Sequence, residues 1–263
     1  MSDKAFFCIA DGIYFEEFYG MAIALINSAK MNTQLELYCL YYGTNKIFIE
    51  DMKDRGVTTI HPDISYKEHV INSNSTIGIW KSPDMWLAAF LRLEVANACK
   101  ALSIEDKYVW YLDTDTFLQH HPVFLENVPM LAASVEFRKD DWNMYNTGVL
   151  QLNLAGMLDT YKDLIDFSIK NNFRVKKSVV DQGILNVFYE GKFTKLPIEY
   201  NWKTYWGLNP GAYVVHFHGL KPEDIRNYPK GRHVTSPVII KNMEYLRQYL
   251  TIWDFYRKSE GIK

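Results

Sequence analysis

The sequence predicts an α/β fold: a mostly parallel central sheet with helices on both of its faces. Strand-like and helix-like segments alternate along the chain, and this βαβα order favours parallel strands joined by right-handed crossovers. The composition agrees, because 263 residues of which 48% are hydrophobic and 15% aromatic can bury a sizeable core. The chain contains no repeats, low-complexity tracts or Gly/Ser-rich linker, so one domain with at most a small appendage is expected.

The first quarter of the chain holds three predicted strands and two predicted helices. The strands are apolar runs rich in β-formers, and the stretches between them are helical in pattern. The predicted strands are Ala5–Ala10, Leu35–Tyr42 and Val57–His61, and the predicted helices are Phe15–Ala29 and Lys46–Arg55.

The second quarter begins with a polar segment, Ser65–Ser82, which is predicted to be a long loop or small excursion. Loops of that length in compact domains are more often functional than idle. A long helix, Met85–Ala101, is predicted next, because Pro83 stands where the first turn of a helix favours proline.

Five further strands and two further helices are predicted in the rest of the chain. In open sheets of this kind ligands gather at the carboxyl ends of the strands, so the residues that follow each strand are candidates for function. The predicted strands are Tyr108–Leu112, Met130–Phe137, Gly148–Leu154, Phe193–Leu196 and Tyr213–Phe217, and the helices are Met157–Lys170 and Val179–Tyr189.

Charge and cysteine content exclude several classes of protein. A formal net charge of -2 gives no global attraction to nucleic acid or to an anionic membrane. The three cysteines, Cys8, Cys39 and Cys99, are scattered and odd in number, so buried reduced thiols are expected. The N-terminal segment lacks the features of a signal peptide, and no run approaches the roughly 20 apolar residues of a spanning helix. We therefore expect a cytoplasmic protein that does not bind nucleic acid.

Two aspartates end the apolar strand in the middle of the chain. Asp113 and Asp115 flank Thr114 in the run Tyr-Leu-Asp-Thr-Asp-Thr. Residues two apart in an extended chain point to the same side, so both carboxylates can face one point. A hard divalent cation that also takes phosphate oxygens prefers such a partial, oxygen-rich site. The alternative is a solvated turn that ends a core strand, since aspartate is common in turns.

Other candidate residues follow other strands. Asp11 ends the first strand and could accept hydrogen bonds from a base or ribose, and the ring of Tyr14 could stack on the base. The last strand ends in a segment that places His216, Gly219 and Lys221 within six residues. Glycine lets a backbone approach a ligand closely, and lysine supplies a point charge for phosphate.

The residue types in this set constrain the ligand. Two carboxylates and one neutral imidazole suit a mixed oxygen and nitrogen site, for which manganese fits better than calcium, with magnesium also possible. Arg92, on the helix before the strand that carries the aspartates, could add a bidentate contact. These residues indicate a diphosphate that is held through its metal ion.

Seven short motifs in order carry a resemblance to a known family. The chain resembles glycosyltransferase family eight, the retaining enzymes that include glycogenin and bacterial lipopolysaccharide galactosyltransferases, and the resemblance covers about residues 5 to 222. The motifs are Ala-Asp-x-x-Tyr at 10–14, Phe-Leu-Arg-Leu at 90–93, Tyr-Leu-Asp-Thr-Asp at 111–115, Tyr-Asn-Thr-Gly-Val-Leu-Gln-Leu-Asn-Leu at 145–154, Asp-Gln-Gly at 181–183, Leu-Pro through Tyr-Asn at 196–201, and His-x-x-Gly-x-Lys-Pro at 216–222.

The resemblance implies a GT-A type, Rossmann-like fold and a metal-dependent transfer of a hexose or related sugar from a UDP-sugar to a hydroxyl acceptor such as a glycan. It implies that Asp113, Asp115 and His216 bind the metal ion. It also implies that the sugar nucleotide is bound by Ala10, Asp11, Tyr14, Arg92, Asp113, Thr114, Asn146, Gly219 and Lys221.

The resemblance places two further residues at the reacting sugar. Asp181 and Gln182 line it, with Gln182 closest to the reacting carbon. The family retains the configuration of the sugar, and an amide is a poor nucleophile. Same-face attack is therefore favoured, with the departing diphosphate taking the acceptor proton, and Asp181 is the fallback nucleophile.

The sequence departs from the family pattern in two places. His216 and Lys221 are one residue closer than is usual, and Glu223 follows the Lys-Pro pair where tryptophan is common. Thr147 stands where a small residue is common. His218 is expected to point away from His216 and to be structural.

Two other functions remain open at this stage. Asp113, Asp115 and Thr116 also satisfy the Asp-x-Asp-x-Thr motif of haloacid dehalogenase-type phosphatases. That motif normally follows the first strand of its domain, whereas here several strands precede it. A catalytically inactive sugar-nucleotide-binding protein is the third interpretation.

The C-terminal part has a different composition from the rest. Residues 1–222 are predicted to form the catalytic domain, and residues 223–263 a basic and aromatic helical extension packed on it. Basic aromatic helices also suit a membrane interface. A peripheral contact at the inner face of a membrane, with a lipid-linked glycan as acceptor, is the sharper hypothesis for this extension.

Overall fold

The computed structural model describes residues 2–12, 15–74, 83–175, 180–228 and 240–259. Within them lie ten strands and nine α-helices, joined in places by single 3-10 turns. The strands are β1 Lys4–Ala10, β2 Glu36–Tyr42, β3 Thr58–Ile60, β4 Tyr108–Leu112, β5 Thr116–Leu118, β6 Leu131–Val135, β7 Tyr145–Asn153, β8 Phe193–Lys195, β9 Trp202–Lys203 and β10 Val214–His216. The helices are α1 Phe15–Asn32, α2 Lys46–Asp54, α3 Lys67–Asn74, α4 Pro83–Phe90, α5 Val95–Ala101, α6 Leu154–Lys170, α7 Val180–Phe188, α8 Pro222–Arg226 and α9 Met243–Lys258.

Seven of the strands form a central sheet in the order β3-β2-β1-β4-β7-β6-β8. All neighbours pair in parallel except β7, which is antiparallel to both β4 and β6. The predicted mostly parallel sheet is therefore confirmed. Because β7 runs backwards, its first residues lie at the edge where the other strands end, and the Asp113 backbone N–H donates to the Gly148 carbonyl (2.7 Å).

Helices cover both faces of this sheet, as the alternation along β1 requires. Phe6 and Cys8 face the layer that contains α4 to α7, and Phe7 and Ile9 face the layer that contains α1 and α2. The two apolar layers are the core of the domain. The three cysteines are buried free thiols, as predicted.

Three strands form a separate small sheet in the order β5-β10-β9. Strand β10 pairs antiparallel with β5, where His216 faces Thr116, and parallel with β9, where His216 faces Lys203. The sequence alone did not separate β10 from the central sheet, because strand pairing between distant segments leaves no local pattern.

Two predictions about the second quarter of the chain were wrong in part. The segment Ser65–Ser82, predicted as a long loop or small excursion, contains helix α3 at Lys67–Asn74, and residues 75–82 lie outside the described part. The predicted continuous helix Met85–Ala101 is interrupted by a 3-10 turn at Leu91–Glu94. All four residues of that turn are buried, so tertiary contacts override the helical preference of the segment.

The C-terminal helix α9 packs with one face on α1 and on the small sheet. Leu246, Tyr249 and Trp253 are buried in this contact, and the Asn27 side chain donates to the Tyr256 carbonyl (2.8 Å). Among the described residues, no helix has the length and apolar character that crossing a membrane requires.

Candidate active site

Two aspartates and a histidine converge where the central sheet meets the small sheet. Their ligand atoms, one each from Asp113, Asp115 and His216, all lie within 4.8 Å of one another. The Thr116 side chain and backbone both donate to the Asp113 carbonyl (2.7 and 3.1 Å), which fixes the turn that presents both carboxylates. Strand β10 then brings His216 Nε2 to 3.3 Å from Asp115 Oδ1.

A glycine leaves the space for this cluster. A Cβ atom on Gly148 would lie 2.8 Å from Asp113 Oδ2 and 3.0 Å from His216 Nδ1, and closer still to the Cε1 of that ring. Two carboxylates and an imidazole around a space that a side chain would fill form a donor set that fits Mn²⁺ or Mg²⁺.

Arg92 binds one carboxylate oxygen of Asp113. Its guanidinium contacts Asp113 Oδ1 (2.9 Å) and Asp181 Oδ2 (2.9 Å) and donates to the Thr147 carbonyl (2.6 Å). The Tyr111 hydroxyl donates to the same Oδ1 of Asp113 (2.8 Å), so the other carboxylate oxygen remains for a cation. Burial raises the pKa of Asp181 to about 6, although the charge of Arg92 opposes the rise.

Lys221 reaches the second aspartate despite its shorter spacing from His216. Gly219 adopts a positive φ of 85°, and Lys221 follows it at the start of α8, where its ammonium contacts Asp115 Oδ2. Burial alone would raise the pKa of Asp115, but Lys221 and His216 lower it. The carboxylate is therefore ionised, as a metal ligand must be.

An open cavity of about 170 Å³ connects the end of β1 to this cluster. Asp11 lines this cavity and accepts hydrogen bonds from the Tyr41 hydroxyl and from the Thr44 backbone N–H (2.8 Å). Tyr14 lies outside the described residues. The cavity is lined by Cys8, Ile9, Ala10, Asp11, Gly12, Phe15, Phe18, Ala88, Ala89, Arg92, Tyr111, Asp113, Thr114, Asp115 and Lys221.

Gln182 lies in the first turn of α7, beside the start of β7. Its Oε1 accepts from the Thr147 backbone N–H (3.1 Å) and from Asn146 Nδ2 (3.2 Å). The Thr147 hydroxyl also lies 3.5 Å from this oxygen, so three protein donors surround it. Asp181, its neighbour, is buried and contacts Arg92.

Asn146 is fully satisfied by protein groups. Its Nδ2 donates to Glu136 Oε2 (2.7 Å) and to Gln182, and its Oδ1 accepts from the Gly148 backbone N–H (3.1 Å) and from Asn201 Nδ2 (2.8 Å). An amide side chain has two donor and two acceptor positions, and all four are used here. Contact between Asn146 and a sugar stays a prediction.

A buried polar group that the sequence did not single out lies behind His216. Glu136 follows strand β6, and its Oε1 contacts His218 Nε2 (3.0 Å), while the Tyr205 hydroxyl lies 2.9 Å from His218 Nδ1. Burial alone would raise the pKa of Glu136, but its contacts, first of all that with His218, lower it to about 2. The expectation that His218 points away from His216 was wrong. Residues two apart in an extended chain point to the same side, and the two ring centroids are 5.5 Å apart.

Lys203, on strand β9, is fully buried near the same group. Its Nζ has no hydrogen-bond partner among the described residues. Burial lowers the pKa of Lys203 to about 7, against the attraction of Glu136 and the two metal-site aspartates. A carboxylate within the apolar run Met130–Phe137 was a signal in the sequence, whereas Lys203 gave none.

The fold is the GT-A fold of glycosyltransferases. The chain matches no protein-family profile and no curated protein, but it resembles several solved structures. GlyE from Streptococcus pneumoniae is 17% identical with a TM-score of 0.65, and the match covers 99% of this chain and 61% of that one. An active-site mutant of LgtC is 14% identical with a TM-score of 0.62, and the match covers 93% of this chain and 95% of that one. Mouse xyloside xylosyltransferase 1 is 12% identical with a TM-score of 0.55, and the match covers 82% of this chain and 97% of that one. The chain thus spans about three-fifths of GlyE, and at these identities the likeness establishes the fold.

Proposed function

We propose that this protein is a metal-dependent, retaining glycosyltransferase that moves a hexose or related sugar from a UDP-sugar to a hydroxyl acceptor. The observation that carries the proposal is the convergence of Asp113, Asp115 and His216. The two aspartates line a cavity that Asp11 also lines. The cavity therefore offers a hydrogen-bond acceptor for a nucleoside and a cation site for its diphosphate. LgtC, a galactosyltransferase with the same fold, has been solved in complex with donor and acceptor sugar analogues.

Asp113, Asp115 and His216 would hold Mn²⁺, or Mg²⁺, and the bound ion would supply positive charge to the diphosphate. Asp113 Oδ1 is held by Arg92, so its Oδ2 is oriented without any rearrangement. Lys221 contacts Asp115 and lines the same cavity. We propose that Lys221 transfers its contact to the departing diphosphate and stabilises the charge that develops there.

The residues on the sugar side support same-face attack. The Gln182 oxygen accepts from three protein donors, and an amide is in any case a poor nucleophile. The Asp181 carboxylate is buried against Arg92, which disfavours it as the fallback nucleophile. The acceptor oxygen would bond to the anomeric carbon on the side from which the diphosphate leaves, and a diphosphate oxygen would take the acceptor proton.

Incubation with a panel of UDP-sugars tests this function. Release of UDP that requires Mn²⁺ or Mg²⁺ is expected with at least one donor, and Asp113→Asn should abolish it. No release from any donor, together with a phosphatase activity that Asp113→Asn blocks, would overturn the proposal in favour of a phosphatase. Tight UDP-sugar binding without turnover, even with acceptors supplied, would favour an inactive binding protein.

We further propose that residues 1–222 form the catalytic domain and that residues 223–263 extend it. One face of α9 is buried in the domain, so a peripheral membrane contact would use the opposite face, where Phe255 (56% exposed), Tyr245 and the basic Arg247 lie. Such a contact would place the protein at the cytoplasmic face of a membrane, with a lipid-linked glycan as acceptor. Flotation with anionic vesicles tests this, and Phe255→Ser should reduce the bound fraction.

A further inference from the structure

A chain of side-chain hydrogen bonds joins a buried carboxylate to the histidine of the cation site. Asn146 Nδ2 donates to Glu136 Oε2 (2.7 Å), Asn201 Nδ2 donates to Asn146 Oδ1 (2.8 Å), and Asn201 Oδ1 lies 2.9 Å from His216 Nδ1. All four side chains are buried, with at most 7% of each residue exposed. All of these hydrogen bonds join one side chain to another, so the side chains themselves decide which atom donates and which accepts.

The donor and acceptor ends of these hydrogen bonds are fixed first at Glu136. An ionised carboxylate can only accept, so Asn146 must turn its Nδ2 to Glu136. The Gly148 backbone N–H can only donate, and it donates to Asn146 Oδ1 (3.1 Å), which fixes the same orientation independently. The two amide ends of Asn146 therefore cannot be exchanged.

The orientation of Asn146 in turn fixes the orientation of Asn201 and the tautomer of His216. Asn146 Oδ1 needs a donor from Asn201, so Asn201 turns its Nδ2 inward and its Oδ1 toward the ring. His216 Nδ1 must carry a proton to satisfy that oxygen. Its other nitrogen, Nε2, then faces Asp115 Oδ1 at 3.3 Å and offers its lone pair to the cation site.

We infer that Asn201 is a positioning residue for the metal site, which holds His216 by its Nδ1–H with Nε2 turned to the cation. Asn146 and Glu136 act through Asn201 by fixing its orientation. A histidine that ligates a metal generally donates its other N–H to an oxygen acceptor, and loss of that acceptor typically weakens metal binding about 10- to 100-fold. The inference rests on the proposed function, because it presupposes that Asp113, Asp115 and His216 bind a cation.

The inference also changes the role expected of Asn146. All four of its hydrogen-bonding positions are occupied by protein groups, so a sugar hydroxyl could bind it only by displacing one of them. Displacement would leave a buried polar group unpaired, which costs roughly 1–3 kcal/mol. Asn146 therefore contributes by holding Asn201 and Gln182 in place.

Three variants of the full chain test the inference, with Mn²⁺ alone as the probe. Asn201→Leu removes the acceptor for His216 Nδ1 at similar volume, and Asn201→Asp keeps an acceptor there. Asn27→Leu is the matched control, because Asn27 is also buried and donates two hydrogen bonds, to Tyr256 and Ser259, but contacts α9. Continuous-wave EPR measures the Mn²⁺ affinity, and pulsed EPR detects a ¹⁴N nucleus bound directly to Mn²⁺.

Wild type and Asn27→Leu are expected to bind Mn²⁺ with equal affinity and with a directly bound ¹⁴N. Asn201→Leu should bind about 10- to 100-fold more weakly and lose most of the ¹⁴N coupling, while Asn201→Asp should recover part of both. If Asn201→Leu kept the affinity and the ¹⁴N coupling of wild type, the positioning role would be wrong and the metal site would stand. If wild type bound no Mn²⁺, the proposed function would fall and the inference with it. An equal loss in Asn27→Leu would show that general destabilisation is the cause, which also overturns the inference.

Discussion

The substitution Gly148→Ala tests the geometry of the cation site with the smallest possible change. The added Cβ would lie 2.8 Å from Asp113 Oδ2 and 3.0 Å from His216 Nδ1, whereas ordinary contacts of a Cβ begin at 3.4 Å. The Asp113 carboxylate must therefore move by about 0.6 Å (3.4 minus 2.8) and the His216 ring by at least 0.4 Å (3.4 minus 3.0). Metal–ligand distances tolerate only about ±0.2 Å, so both ligands would leave their positions.

The free energy of this clash sets the expected effect. Overpacking of a well-packed region costs about 1–3 kcal/mol, and each 1.4 kcal/mol is tenfold in an equilibrium constant. If the Asp113 and His216 side chains give way rather than the backbone, this free energy is lost from Mn²⁺ binding. We expect Gly148→Ala to bind Mn²⁺ roughly 5- to 150-fold more weakly than wild type.

Titration of Mn²⁺ followed by EPR measures this loss, and urea unfolding with EDTA shows whether the fold is retained. Gly211→Ala is the matched control, because a Cβ at Gly211 would meet only Asn209 Oδ1, at 3.4 Å. Gly211→Ala should leave Mn²⁺ affinity unchanged. A folded Gly148→Ala protein with wild-type Mn²⁺ affinity would refute the view that this glycine makes room for the metal ligands.

Three further substitutions test the buried charges around the site. Arg92→Lys should weaken Mn²⁺ binding about 10-fold or more by the same EPR titration, because an ammonium cannot reproduce the fork that orients Asp113, and unchanged affinity would contradict this. The pKa of Glu136 is lowered to about 2 in the folded protein, so the stabilisation that its ionised form provides is complete above about pH 4.5 and is lost as pH falls through about 2. Burial lowers the pKa of His218 to about 4, so His218 is neutral at pH 7 and the pair is ionic only in acid. Glu136→Gln should flatten the acid limb of the urea-stability profile, and a profile parallel to that of wild type would contradict the pairing with His218. Burial lowers the pKa of Lys203 to about 7, so the unfolded chain holds the Lys203 proton more strongly and the free energy of unfolding rises from about pH 7 to 10.5. Lys203→Met should therefore stabilise the metal-free protein at pH 7 by up to about 4 kcal/mol and remove this rise. A destabilised Lys203→Met protein would contradict this expectation.

Much of the central sheet could be predicted because its strands carry local signals. Tyr108–Leu112 was predicted with its observed bounds, since a continuous apolar run that ends in Asp113 is typical of a buried strand. The direction of β7 could not be predicted, because periodicity gives the faces of a strand and not its orientation. That direction brings Asn146 and Gly148 to the site.

The parts of the site that the sequence did not reveal depend on contacts between distant segments. Helix α3 was missed because Lys67–Asn74 is polar and lacks a clear apolar face. Glu136, Asn201 and His216 form one hydrogen-bonded chain only because β6, β10 and the turn before β9 meet in space. Their residue types alone are compatible with many arrangements, so no sequence pattern specifies which nitrogen of His216 faces the cation.

The most direct test of the account is the affinity for UDP, measured by isothermal titration calorimetry in the presence of Mn²⁺ and of EDTA. Wild type should bind UDP at least about 10-fold more tightly with Mn²⁺, because Asp113, Asp115 and His216 would hold the ion beside the diphosphate. Asp115→Ala should show no gain from Mn²⁺. Equal UDP affinity with and without Mn²⁺ in wild type, or a full Mn²⁺ effect in Asp115→Ala, would contradict the central claim.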